Sequence, residues 1–443
     1  RGGKDVFDEI QRKLHDGNPD RSGHNTGQHG QEQNFTSLAA ELNTRFMDGK
    51  ANNVARVAWS HQDEPRSYEG DLFPTVDIMS NDGCEAGRTA MYTTFGVDPF
   101  TYGNLRDVQT AVATDEMTWG SGRHNFTAGL QYEWNRTKNG YMQGGAGWYL
   151  YNSWDDFVKD VIDPANAAGP ALYMITHANN STLTQEFPSF DYAQASAYFQ
   201  DEMDLSDNFK MSLGLRLEMP MLSNPNNNFN KDFADVAAAN PNTSFAGLST
   251  ADLPSLKLNV SPRIGFNWDI LRDRSLILRG GSGLFTGRIP FVWLVSAMGN
   301  ANVLQYQYIS KGVDVDGNPV NGNDVIHFHQ NINDQLNELY GGQFQPADLS
   351  APTAATIIDK GLKMPSSWKS SLAFDAKLPG GIKGTLEGIY AYNFNEVYAT
   401  QLGYKQDGTV QLQGEPDARQ HWTSEGVKNN AGATMTGYYL HNE

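Results

Sequence analysis

Residues 209–219 read Phe-Lys-Met-Ser-Leu-Gly-Leu-Arg-Leu-Glu-Met, with every odd position apolar and every even one charged, hydroxylic or glycine. Side chains along a strand point alternately to opposite faces, so this segment is greasy on one side and wet on the other. Five times in the chain two such patterns flank a tight polar turn, and each pair is separated from the next by a long polar excursion. Short turns at one end and long loops at the other are the sequence signature of a transmembrane β-barrel.

The five hairpins are expected at about 35–46 with 54–61, 107–118 with 124–134, 191–203 with 209–219, 258–268 with 275–285, and 368–377 with 383–394. Asp48-Gly49, Gly120-Ser121-Gly122 and Pro379-Gly380-Gly381 supply the backbone freedom that tight turns need. Pro262 falls inside a strand pattern, which predicts a strand start or bulge there. Residues 1–34 read as irregular, 35–405 as the barrel portion, and 406–443 as loop or an incomplete strand. Extracellular loops are expected at about 62–106, 135–189, 221–255 and 289–366, with a short helix near Trp154–Val161. The fold class is therefore all-β, an antiparallel barrel of which about ten strands are visible. A sandwich would have short connections at both strand ends, and a propeller a regular blade period; neither is present.

Composition agrees once alternation is allowed for. A mean hydropathy of −0.54 looks soluble, but a barrel hides its apolar residues at every second position. No run of about 18 apolar residues exists to make a spanning helix. The 19 Tyr, 22 Phe and 9 Trp suit aromatic girdles at two membrane interfaces. A net charge of −18 argues against nucleic acid as a partner, because that binding relies on Lys and Arg. The single cysteine, Cys84, permits neither an internal disulfide nor a cysteine zinc site. The chain opens Arg-Gly-Gly-Lys-Asp, without an apolar leader run, which is expected of a mature form or a piece of something longer.

Ser261–Asp269 (Ser-Pro-Arg-Ile-Gly-Phe-Asn-Trp-Asp) and Leu278–Leu294 (Leu-Arg-Gly-Gly-Ser-Gly-Leu-Phe-Thr-Gly-Arg-Ile-Pro-Phe-Val-Trp-Leu) carry a resemblance. They look like the barrel of Oar-like TonB-dependent receptors, outer-membrane proteins of Bacteroidetes-type bacteria. Gln200–Met203 with Leu213–Glu218 is similar to TonB-dependent barrels more broadly, and Phe73–Ile78, Tyr149–Tyr151 and Asp155–Phe157 add weaker matches. The resemblance implies a barrel of about 22 strands in the Gram-negative outer membrane, filled by a plug and energised through TonB. About ten strands, no plug-like or TonB-box-like stretch, and the ending Tyr438-Tyr439-Leu440-His441-Asn442-Glu443 lead to the expectation of a fragment from the middle of such a barrel.

Several constellations have bland readings. His327-Phe328-His329 could hold zinc or copper, but no third ligand is fixed by spacing, so a polar loop is expected. Asp314–Asn318 departs from a calcium loop in its early glycine and missing closing Glu, and reads as a turn. Gly280-Gly281-Ser282-Gly283 lacks the following helix of a phosphate loop, and its glycines are expected to allow close backbone approach. No nucleophile elbow is present, so neither enzyme nor cofactor is expected.

The wet face is more informative. Glu41, Arg45, Gln131, Glu133, Arg216, Glu218, Arg263, Asn267 and Glu387 are expected to face the lumen, against a plug or open water. Tyr149, Trp154, Trp293 and Tyr306 are the candidate loop contacts to a substrate. The favoured function is capture of a substrate by an outer-membrane receptor in contact with lipid; energised uptake, with a plug and TonB as partners, is what the resemblance implies. An adhesin or a passive diffusion pore is the alternative.

Overall fold

The computed structural model describes residues 29–68, 71–80, 90–183, 185–223, 228–310, 325–342, 344, 351–411 and 418–442. Cys84 and the Asp314–Asn318 segment lie outside the described residues, as does most of the stretch read as irregular at 1–34.

All five hairpins form. The wall strands are β1 (Asn34–Phe46), β2 (Ala51–Tyr68), β3 (Leu105–Ser121), β4 (His124–Gly140), β5 (Ser189–Ser206), β6 (Phe209–Ser223), β7 (Asn259–Asp269), β8 (Leu276–Thr286), β9 (Ser366–Lys377) and β10 (Lys383–Phe394). They pair antiparallel in chain order into one continuous sheet, with the short strand His29–Gln31 added beside the far end of β2. The sheet is open, with β1 and β10 at its edges. The first turn is tight because Met47, Asp48 and Gly49 all adopt positive φ, at 54°, 55° and 86°. Pro262 pairs with Leu215 one step past the end of the β7–β8 ladder, which starts at Arg263. Its missing N–H therefore breaks no bond on that side.

Wall strands run longer than the alternation predicts. β2 reaches Tyr68 rather than 61, and β4 reaches Gly140 rather than 134. Past Trp59 and Trp134 both faces turn polar, as in His61, Gln62, Asp63 and Glu64, so the period-2 signal fades although the hydrogen-bonded ladder continues.

The excursions are not loose loops. Three of them together build a five-stranded sheet in the order Gln305–Ser310, Leu172–Ala178, Trp148–Tyr151, Thr75–Ser80, Ala90–Phe95. Its core holds Val76, Ile78, Phe95, Tyr149, Tyr151, Phe157, Tyr173 and Ile175. Helix α1 (Trp154–Ile162) closes this core with Phe157 and Val161, and starts where the Ser153 side chain accepts from the Asp156 N–H. Phe157 sits edge-on to Tyr151 and Phe95, each 5.3 Å between centroids; burying such a ring contributes about 1.5–3 kcal/mol.

Two further cores are built from the excursions, and the first of them rests on the wall. Helix α3 (Phe291–Gly299) packs Leu294, Val295 and Met298 against Phe190 and Tyr192 of β5, and helix α2 (Lys231–Ala239) buries Phe233 against Phe245, Ile357 and Met435. The described part of residues 406–443, read as loop or incomplete strand, instead holds most of Tyr404–Gln411 and all of Ala418–Ser424 and Thr436–Asn442 in strands. Ala418–Ser424 pairs with Tyr404–Gln411, and Thr436–Asn442 lies between Ala354–Ile358 and Val397–Leu402. Thr436–Asn442 finds one partner some eighty residues away in sequence, a pairing that no local pattern encodes.

Candidate functional site

Register places the nine wet-face residues. Glu41 lies opposite Arg56, Arg56 opposite Thr114, Thr114 opposite Gln131, Gln131 opposite Ser196, and Ser196 opposite Glu218. Directly paired residues share a face, so this row runs unbroken across six strands. A second row joins Arg45 to Asn52, Thr118, Thr127, Gln200, Gly214, Arg263, Gly283 and Lys369. Glu133, Arg216, Asn267 and Glu387 have the same parity, so all nine occupy one polar face of the wall.

That face is cross-linked. Arg56 Nε donates to Glu41 at 2.8 Å, Arg106 to buried Glu64 at 2.8 Å, and Arg279 to Asp375 at 2.8 Å with Glu387 3.8 Å away. Arg216 donates to Glu218 at 2.9 Å and to Gln131 at 3.0 Å. Gln194 donates to Glu218 at 3.0 Å and in turn accepts from the Tyr192 hydroxyl at 2.6 Å. Tyr198 lies flat over Gly129, where a Cβ would come within 2.3 Å of its ring, and so reaches Glu116 at 2.6 Å. Above the wall, Arg288 donates to Glu133 at 2.6 Å and stacks over Tyr192 and Phe291. It thereby pins the start of α3 to β4 and β5. Local patterns did not reveal Arg288, because its partners come from strands far away in sequence.

The opposite face is apolar and exposed: Leu38 is 67 % accessible, Leu130 63 % and Leu386 75 %. Aromatic residues bound it. Trp119 stacks on Phe126 at 5.2 Å near the tight turns, while Trp59 and Trp134 share the row through Ala111 at the far side. From Phe126 to Trp134 the strand climbs about 27 Å; at a barrel tilt near 40° the band is about 20 Å tall. One ionisable residue interrupts it midway: Asp115, opposite Leu130 and Ala55, accepts from the Asn53 amide at 2.6 Å.

The loop candidates fare unevenly. Tyr149 is fully buried; its hydroxyl donates to the His327 carbonyl and accepts from the His329 N–H, so it holds the core together rather than presenting a contact surface. Trp154 and Trp293 are half-buried against the first and second cores, and Tyr306 is half-buried beside His177.

The His327-Phe328-His329 segment is more than a polar loop. Buried Asp160 on α1 accepts from the Tyr151 hydroxyl at 2.6 Å and the Phe328 N–H at 3.0 Å, and meets His327 Nδ1 at 2.5 Å. Glu338 on α4 (Ile332–Tyr340) accepts from the His327 N–H at 3.1 Å and meets His329 Nε2 at 2.6 Å. Two histidine–carboxylate pairs thus clamp the segment between two helices. Among the described residues no three His, Cys, Asp or Glu side chains are grouped to hold a metal.

The Glu338 hydrogen bond raises the His329 pKa above its usual 6.5. Burial pushes Glu338 upward, but the bonds from His329 and the His327 backbone outweigh it, leaving its pKa below the usual 4.5. The histidine contribution is full below pH 6.5 and lost as pH rises through its raised value. The glutamate contribution is full above pH 4.5 and lost as pH falls through its lowered value. Protection of the 325–340 amides from hydrogen exchange is therefore expected to peak between about pH 4.5 and 6.5, and His329→Gln should flatten its alkaline side.

The family comparison decides what such a wall belongs to. Residues 9–390 match the family model described as outer membrane beta barrel domain. The chain belongs to the outer membrane beta barrel domain family. It accordingly resides in the outer membrane of a Gram-negative bacterium, with its apolar face toward lipid. No curated protein matches significantly. Among solved structures, this barrel domain is similar to the outer membrane transporter YddB from Escherichia coli, with TM-score 0.50 and 13 % identity over 93 % of this chain and 38 % of that one. It also matches the siderophore receptor PirA from Pseudomonas aeruginosa, with TM-score 0.40 and 8 % identity over 94 % of this chain and 45 % of that one. The copper transporter OprC matches with TM-score 0.40 and 10 % identity over 93 % and 42 %. The barrel domain thus spans less than half the length of each of these three proteins. At such identities the first likeness shows shared fold and nothing about substrate.

Proposed function

We propose that this chain is wall and loops of a TonB-dependent transporter of Oar-like type, capturing a solute outside the cell for energised uptake. The observation that carries the reading is that three long excursions fold into one unit with its own aromatic core, anchored to the wall by Arg288 and α3. A passive pore has no need of such a superstructure at its outer end. The polar face, with Glu41, Arg45, Gln131, Glu133, Arg216, Glu218, Arg263, Asn267 and Glu387, lines the lumen, against a plug or open water. Trp154, Trp293 and Tyr306 contribute substrate contacts on the outer surface. An open sheet edge cannot face lipid, because its backbone groups would go unpaired. The edges of β1 and β10 are therefore paired in the membrane, with further strands in the transporter reading and with each other in the pore reading.

The test is retention of the detergent-solubilised native protein on the immobilised periplasmic domain of TonB. Retention supports energised transport. Absence of retention together with a steady conductance in planar bilayers would replace it with the diffusion pore, and absence of both would leave the adhesin.

A further inference from the structure

We propose that Arg263, Lys369 and Phe285 form an anion site on the polar face that takes a hydroxylated carboxylic acid of sugar-acid size; this rests on the reading that the face lines a water-filled lumen. Arg263 and Lys369 lie on one row, either side of Gly283, with Cα atoms about 10 Å apart at the usual strand spacing. Both cations lean over the same ring: the Arg263 guanidinium is 4.6 Å and the Lys369 ammonium 5.9 Å from the Phe285 centroid. Four other arginines of this face differ. Arg56, Arg106, Arg216 and Arg279 each meet a carboxylate within 2.9 Å. Among the described residues no carboxylate lies within 4.0 Å of Arg263 or Lys369. Two like charges sharing a site repel, and in a chain of net charge −18 acidic partners were plentiful. A ring eases the repulsion; a bound anion cancels it.

The ground around the pair is cleared. Gly214, Gly265, Gly281 and Gly283 surround Arg263 on this face. At Gly283 a Cβ would sit 3.0 Å from the Arg263 Cγ, so the glycine is what lets the arginine lie down across the strand. One row lower, Gly265, Gly281 and Ser371 share the floor of a depression of about 580 Å³ with Ser212, Asn267 and Glu202. Its polar rim fits hydroxyl groups, while the carboxylate of the same molecule reaches the cations.

The probe is D-glucuronate, with D-glucose as the neutral control, titrated calorimetrically into the full-length barrel purified from native membranes. Glucuronate binding that weakens at least tenfold in Arg263→Gln/Lys369→Gln, but not in Arg56→Gln, supports the site. Equal binding by the double variant, no glucuronate binding by the parent, or glucose binding as tightly as glucuronate overturns it. Labelling of Lys369→Cys, in a Cys84→Ser background, by a charged thiosulfonate separates the causes of failure. A labelled cysteine without glucuronate binding removes the anion site and leaves the lumen reading standing. A protected cysteine without binding removes both.

Discussion

Leu217→Arg is expected to destabilise the inserted barrel by about 2–4 kcal/mol, the cost of an arginine on the lipid face near the bilayer midplane. Leu217 pairs with Ala197, and Ala197 with Leu130, the row midway between the Phe126 and Trp134 levels. No carboxylate stands beside it: its other neighbour is Val260. Ser212→Arg on the same strand is the control. Its side chain joins the polar face beside Gly265 and Glu202, so its effect should stay within about 0.5 kcal/mol. Denaturant titration of the complete barrel in phosphatidylcholine vesicles, read by the gel-mobility shift of folded barrels, measures both. Equal effects at the two positions would mean that the face assignment is wrong.

Asp160→Ala is expected to lower the opening free energy of the loop unit by about 3–5 kcal/mol, the usual penalty for removing one partner of a buried charged network. The Asp160 carboxylate is wholly buried. Its loss strands the Tyr151 hydroxyl, the Phe328 N–H and His327 Nδ1 together. Amides of Tyr149, Tyr151 and Tyr173 should then exchange roughly a hundred- to several-thousandfold faster, while wall amides of β5 and β6 keep their rates. The neighbouring Asp156, which bonds only the exposed first turn of α1 through Ser153, should cost about 1 kcal/mol or less on the same substitution. If Asp160→Ala behaved like Asp156→Ala, the clamp would be decoration on a core held by its aromatics alone.

Much of the wall was legible because membrane strands obey a local rule. At Phe209–Met219 each residue announces its own face, and the same is true of Phe126–Trp134. Nine wet-face residues could therefore be placed on one side without knowing a single partner. Strand ends were less legible. The rule lapses at His61–Glu64 and at Asn135–Gly140, where both faces carry polar residues and alternation carries no signal.

The loop unit was hardly legible. Tyr149 reads as an accessible aromatic in a polar stretch, yet it is enclosed by Tyr173, Phe328 and Tyr151, which come from two different excursions. His327-Phe328-His329 reads as filler, since Asp160 and Glu338 sit on separate helices. Alternation against lipid and water is written residue by residue, and the sequence alone determined the all-β wall, its turns and its two faces. Which carboxylate meets which cation, and whether an aromatic is packed or presented, depends on segments brought together from more than a hundred residues apart. Only the tertiary structure decided that, because a contact's energy lies in the pair and not in either partner's place along the chain.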